Sequence, residues 1–146
     1  MRFISSLAVL LLAGCATTDA GPQLRPAYLS ELELAAPPQA VVAGATIPLT
    51  LTNRSGQAVG VDLCRGALER RVAGIWVPAL TAYHPCPEGL APLAPGAQAS
   101  GVAMVPSELE SDEYRYVTEV SDVVGTPVPQ LVRSNPFHVL AVSAQD

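Results

Sequence analysis

The chain has 146 residues, with 8 arginines and no lysine against 13 Asp plus Glu, a formal net charge of −5, and 49% hydrophobic residues alongside 11 Gly and 14 Pro. That length supports one hydrophobic core rather than several. An acidic chain without a basic stripe lacks the electrostatic footprint of a nucleic-acid binder, so no nucleic-acid partner is expected.

In chain order, Met1 and Arg2 precede Phe3 to Leu12, an apolar run broken only by Ser5 and Ser6. A run of about 10 to 12 apolar residues is too short to cross a hydrocarbon core, which takes about 20 helical residues. A short charged start followed by such a run predicts a helical export signal. The run closes on Leu12-Ala13-Gly14-Cys15, which resembles the lipobox of bacterial lipoproteins. The resemblance implies that residues 1–14 are a cleaved signal peptide and that the Cys15 sulfur carries a diacylglyceryl group. Residues 15–27 then form a lipidated cysteine and polar tether, "TTDAGPQLRP", leaving 28–146 as a single domain. Each buried methylene contributes about 0.8 kcal/mol and one acyl chain holds only marginally, so two or three chains on Cys15 give firm anchoring without a membrane-spanning helix. Ala16, rather than aspartate, follows the cysteine. In a Gram-negative host that implies the outer membrane, facing the periplasm or the cell surface.

Beyond the tether, short alternating segments separated by Gly, Pro and Asn turns predict strands. In "ATIPLTLTN", Ile47, Leu49 and Leu51 share one face while Thr46, Pro48, Thr50 and Thr52 share the other. Pro48 has no N–H, so its side of the ladder should be an edge or a bulge. "NRSG" turns the chain, and Val59, Val61 and Leu63 rebuild an inner face. "LERRVAGIWVPA" reads as a hairpin turning at Ala73-Gly74, with Trp76 on the return strand and expected in the core. "LAPG" makes a turn before the strand "AQASGVAMV". "SELESDE" (107–113) offers one turn of helix capped by Ser107 with Glu110 at the third position. "DEYRYVTEV" alternates Tyr114, Tyr116, Thr118 and Val120 against Arg115, Val117 and Glu119, and "NPFHVLAV" supplies a last strand.

About seven short strands at roughly ten-residue spacing predict an all-β, two-sheet antiparallel sandwich. "LTLTN", "GIW", "LAPG", "YR" and "SNPF-x-V" together resemble the immunoglobulin-like domains of bacterial envelope lipoproteins. The layout through "LTLTNRSG", "GIW", "LAPG" and "YRY" is also similar to small immunoglobulin-like proteinase-inhibitor domains. Cys64 and Cys86 stand too close together for the inter-sheet bridge of antibody domains, with Trp76 between them.

Setting Cys15 aside, an exported domain keeps Cys64 and Cys86, and an oxidising compartment favours their pairing. Such a disulfide would staple a long loop to a neighbouring strand. A metal site from His84, Cys86 and Cys64, or a reactive thiol, is the alternative, but "YHPCP" lacks paired zinc-ligand spacing. No metal and no cofactor is expected. The serines have no Gly-x-Ser-x-Gly context, and no triad can be assembled. Glu108, Glu110, Asp112 and Glu113 lack the calcium-loop alternation and read as a solvated turn. Asn53-Arg54-Ser55 fits a glycosylation sequon but also an ordinary turn. His138 is expected to face solvent. The binding candidates are Trp76, Tyr83, Arg115 and Arg133. The two arginines are expected on adjacent strands, pairing with Glu69 or Glu119 as a salt bridge or as part of a patch for a protein or anionic glycan. The expected function is a membrane-anchored, non-enzymatic binding or structural module with an envelope protein or glycan as partner. The alternatives are a proteinase inhibitor presenting the loop 79–90 and a hydrolase of unrecognised type.

Overall fold

The structure is a computed structural model that describes residues 27–79, 86, 90–122 and 130–142. Cys15 and its lipobox, the tether to residue 26, Tyr83 and His84 lie outside the described residues. No described helix is long and apolar enough to cross a membrane.

The fold is an all-β sandwich of two sheets. A short 3₁₀ helix, Ala27–Glu31, leads into β1 (Leu32–Ala35), β2 (Val41–Val42), β3 (Thr46–Asn53), β4 (Val59–Val72), β5 (Ile75–Pro78), β6 (Ala91–Leu93), β7 (Gln98–Met104), β8 (Asp112–Asp122), β9 (Gln130–Arg133) and β10 (Phe137–Leu140). Sheet one has the order β1-β3-β7. Sheet two has the order β2-β10-β8-β4-β5, with β6 also pairing β4 and β9 also pairing β8. The pairs are antiparallel except β2 with β10, which run parallel. The chain thus contributes first to sheet one and then, within a few residues, to the far edge of sheet two.

The core lies where the alternating faces meet. Ile47, Leu49 and Leu51 of β3, Val59 and Val61 of β4, Tyr114 and Val120 of β8, and Phe137 and Val139 of β10 are buried, as the period-2 pattern requires. Pro48 sits in the central strand of its sheet, yet its position is an open one. Val105 N–H donates to Ala45 O and Asn53 N–H to Ala97 O, so odd-numbered β3 residues bond toward β7 and even-numbered ones toward β1. Pairing with β1 begins only at Thr50, leaving the Pro48 side without a partner that needs its N–H.

Asn53 closes β3 and is fully buried. Its Nδ2 donates to the carbonyls of Gln57 (2.8 Å), Leu93 (3.0 Å) and Ala94 (3.2 Å), and its Oδ1 accepts from Ser55 N (3.0 Å) and Ser55 Oγ (2.6 Å). An amide engaged in this way has no room for a glycan, so the sequon is a turn. The helical turn expected over 107–113 is likewise corrected. Leu109 N–H donates to Pro106 O at 3.4 Å in a simple turn, the Ser107 hydroxyl donates to Glu108, and Leu109 drops into the core.

Candidate functional site

The β4–β5 hairpin turns through Ala73 (φ 49°) and Gly74 (φ 83°). Two successive positive φ values define the two-residue turn whose twist matches that of paired strands. It sets Arg71 opposite Trp76 and Glu69 opposite Pro78. Across the other edge of β4, Glu69 stands opposite Arg115 of β8, and Arg133 of β9 stands opposite Val117. Alternation then puts Glu69, Arg71, Trp76, Arg115, Val117 and Arg133 on one surface, the outer face of sheet two.

Trp76 is therefore half-buried on this outer face and not in the core. Parity decides it: the inner-facing positions of β5 are Ile75 and Val77, and the indole follows Arg71 outward. The Arg115 guanidinium carbon lies 4.4 Å from the centre of the indole ring and that of Arg71 lies 5.9 Å away. Both are within the range of cation–π attraction. Arg115 Nε donates to Glu69 Oε2 at 2.6 Å. Arg133 Nε reaches Oε2 at 3.3 Å and its Nη2 reaches Oε1 at 3.4 Å. The Glu69 side chain is 16% exposed and that of Arg115 20%. Burial alone would raise the Glu69 carboxyl, but hydrogen bonds from Arg115 and Arg133, and their charges, outweigh it and hold the group below its ordinary value. Arg71 donates to Glu113 at 2.9 Å. Within this group three guanidinium groups face two carboxylates, a local surplus of positive charge on an acidic chain.

Three of the four candidate binding residues, Trp76, Arg115 and Arg133, are thus brought together, and Glu69 is the carboxylate that the two arginines share. Glu119, the alternative partner, is exposed farther along β8. Sequence reasoning missed Arg71. Its signal was the two-residue turn, which fixes which residue faces Trp76. The acidic run pairs with arginine: Arg70 contacts Glu110 at 2.7 Å and Asp112 at 3.8 Å. Among the described residues no group of three or more His, Cys, Asp or Glu is placed to hold a metal ion. His138 is exposed on β10.

Cys64 and Cys86 are joined, with 5.7 Å between their Cα atoms. Cys64 sits in a bulge, because β4 advances from Val61 to Gly66 while β8 moves only from Val120 to Thr118. Asp62 Oδ1 accepts from the Cys64 and Arg65 amides at 3.0 and 3.2 Å, the Thr118 hydroxyl donates to Asp62 O at 2.6 Å, and the Tyr116 hydroxyl donates to Leu63 O at 2.7 Å. Burial, aided by the nearby Asp62 charge and opposed by a bond to Gly66, pushes the Tyr116 phenol up to about 12. A Cβ on Gly66 would stand 2.0 Å from the Tyr116 ring, so only glycine lets the tyrosine pass beneath the bulge. The disulfide joins Cys86 to this bulge.

No protein-family model matches the chain, and no curated protein matches it. Among solved structures it is similar to the Pseudomonas fluorescens alkylpurine DNA glycosylase AlkC bound to DNA containing an abasic site analogue, at 14% identity over 76% of this chain and 31% of that chain, with a TM-score of 0.41. It is also similar to the Salmonella enterica SafA pilin in complex with the SafB chaperone, at 10% identity over 79% of this chain and 56% of that chain, with a TM-score of 0.44.

Proposed function

We propose that the chain is a lipid-anchored cell-envelope protein that acts as a non-enzymatic binding or structural module, presenting the outer face of sheet two to an envelope protein or glycan. The anchor is Cys15, in its lipobox setting, and the location is the outer membrane in a Gram-negative host. The observation that carries the binding reading is the convergence of Trp76, Arg71, Arg115 and Arg133 around Glu69 on one solvent-facing surface. Tryptophan and arginine are the residues that dominate binding hot spots. Here their planes are held in place before any partner arrives, so little ordering entropy remains to be lost on binding. Crosslinking and pull-down of the full chain from its own membranes tests this. The expected result is one stoichiometric envelope partner, recovered with the wild type and lost with Trp76→Ala. Recovery of the same partner with Trp76→Ala would remove this face from the proposal, and turnover of a substrate by the purified chain would replace it with catalysis. The anchor has its own test: Cys15→Ser should lose palmitate labelling and membrane association, and labelling at the wild-type level would overturn it.

One observation favours a second reading. The disulfide joins Cys86 to the β4 bulge at Cys64, and a loop 79–90 fastened there would lose little ordering entropy on meeting a proteinase. Saturable inhibition of an envelope protease, lost with Cys64→Ser, would support that reading over the sheet-face one.

A further inference from the structure

On the outer face of sheet two the three arginines form a row. Arg115 stands opposite Glu69, and Arg133 opposite Val117. Because Arg70 stands opposite Tyr114, Arg71 lies level with Glu113, to which it donates. Each step along the row moves one strand across and two residues along β8, from Arg71 on β4 to Arg115 on β8 to Arg133 on β9. Diagonal neighbours of this kind lie about 7–8 Å apart, so three positive charges line up across three strands. The two carboxylates beside them do not exhaust the row, since a guanidinium has five N–H donors. Among the described residues Arg71, with its side chain 49% exposed, directs one nitrogen to Glu113. Arg133, 32% exposed, reaches Glu69 at 3.3 and 3.4 Å, long for a bond between ions, which runs at about 2.7–2.9 Å. Arg115, by contrast, is held by Glu69 at 2.6 Å and lies against the indole. The row therefore has a fixed centre and two ends with donors unused.

Resting on the reading of this face as a binding surface, we propose that its ligand is an acidic polysaccharide, a chain of sugars that bear carboxylates. Guanidinium forks match carboxylates in bidentate geometry, and a polymer with a carboxylate at each repeat can meet Arg71 and Arg133 together. Trp76, opposite Arg71 on β5, adds a flat apolar plate at one end of the row, suited to the C–H face of a sugar ring. Charge selects an anion. This face has a positive surplus in a chain of net charge −5, so an acidic polymer is repelled elsewhere and admitted here. The composition of the face also selects a glycan over a protein. Protein interfaces deplete charge from their centre and keep it for the rim, whereas the centre here is the Arg115, Glu69 and Arg133 group.

The test is calorimetric titration of the full-length chain, purified in detergent, with oligogalacturonate, oligomannuronate and oligoglucuronate. At least one should bind saturably, at one site per chain. Its methyl ester, which keeps every ring and removes the charge, should bind about tenfold more weakly. Arg71→Gln and Arg133→Gln should each weaken the acid form by about tenfold. Arg70→Gln, which removes an arginine from the opposite face of β4, should leave the affinity within about twofold. The ester comparison is made on the wild type, so it stands even where a variant loses its fold. Binding of none of the three, equal binding of the ester, or an equal loss with Arg70→Gln overturns the proposal. So does polyglutamate binding as tightly, which would make the row a site for an acidic polypeptide. Any of these outcomes leaves the binding face itself in place if Trp76→Ala still loses the envelope partner in pull-down, and recovery of that partner with Trp76→Ala removes the face as well.

Discussion

Two residues show how much of this domain rests on polar groups with every partner in place. Asn53, itself fully buried, serves three carbonyls, that of Leu93 buried and those of Gln57 and Ala94 partly so, and two donors from Ser55. Each group left buried and unpaired costs about 1–3 kcal/mol, so Asn53→Ala should lower stability by about 3 kcal/mol or more, read as a shifted urea midpoint. Glu69 is the second. Its carboxyl is held below the ordinary value by Arg115 and Arg133. A group whose folded value is depressed stabilises the fold above its unfolded value, near 4.3, and loses that contribution as pH falls through the lower folded one. The chain has a single tryptophan, stacked on the arginine that Glu69 holds. Its emission should therefore change on acidification below about pH 4, and Glu69→Gln should flatten that transition. An emission profile unaltered by Glu69→Gln would separate the indole from the ion pairs. That Arg115 and Arg133 would meet a carboxylate on an adjacent strand was legible in the sequence, but the choice of Glu69 over Glu119 was not, because it depends on the register that sets Glu69 opposite Arg115. The outward turn of Trp76 was not, because hydrophobicity argues for burial and only the phase of the hairpin decides the face.

At the scale of elements, legibility followed length. β3, β4, β7 and β8 carry enough alternating positions for the period to show, and their inner faces are buried as expected. β2 has two residues, β6 three, and β1 and β9 four each, too few to establish a period against their surroundings. Those short strands owe their existence to neighbours: β6 lies on β4 beside Val59 and Val61, and β9 on β8 beside Val117 to Val120. The acidic stretch before β8 misled for a related reason. A capping pattern is local, whereas Leu109 is drawn into the core and the carboxylates are drawn to Arg70. The hairpin, by contrast, was visible at once, although its first turn residue is not the best one. Ala73 holds a left-handed conformation that costs a residue with a Cβ about 1–2 kcal/mol, and Asn-Gly is the preferred pair in such turns. Ala73→Asn should therefore raise the thermal midpoint, by a stabilisation of about 0.5–1 kcal/mol. A lowered midpoint would show that Ala73 is held by contacts beyond the turn itself.

For the whole molecule, the sandwich and the staple are separable. The β4 bulge is organised by Asp62, Thr118 and Tyr116 without help from sulfur. A bridge closing 22 residues contributes about 3 kcal/mol through the unfolded state. Replacing both Cys64 and Cys86 by serine should cost about that much in chemical denaturation while leaving the β-sheet circular dichroism unchanged. Loss of the spectrum would mean that the bulge needs the bridge to form. The parallel pairing of β2 with β10 bears on a different property, resistance to force. Leu34 bridges Ser134 in parallel, the Asn135 side chain clasps Ala36 through both its N–H and its C=O, and Val41 and Val42 lie beside Val139 and Leu140. The first and last segments thus run side by side in the same direction. A pull applied between the two ends of the domain drags them past each other lengthwise, loading these bonds together where an antiparallel hairpin would let them open one at a time. Stretched by its ends, the domain should yield abruptly in a single rupture, and Asn135→Ala should lower the force at which it does.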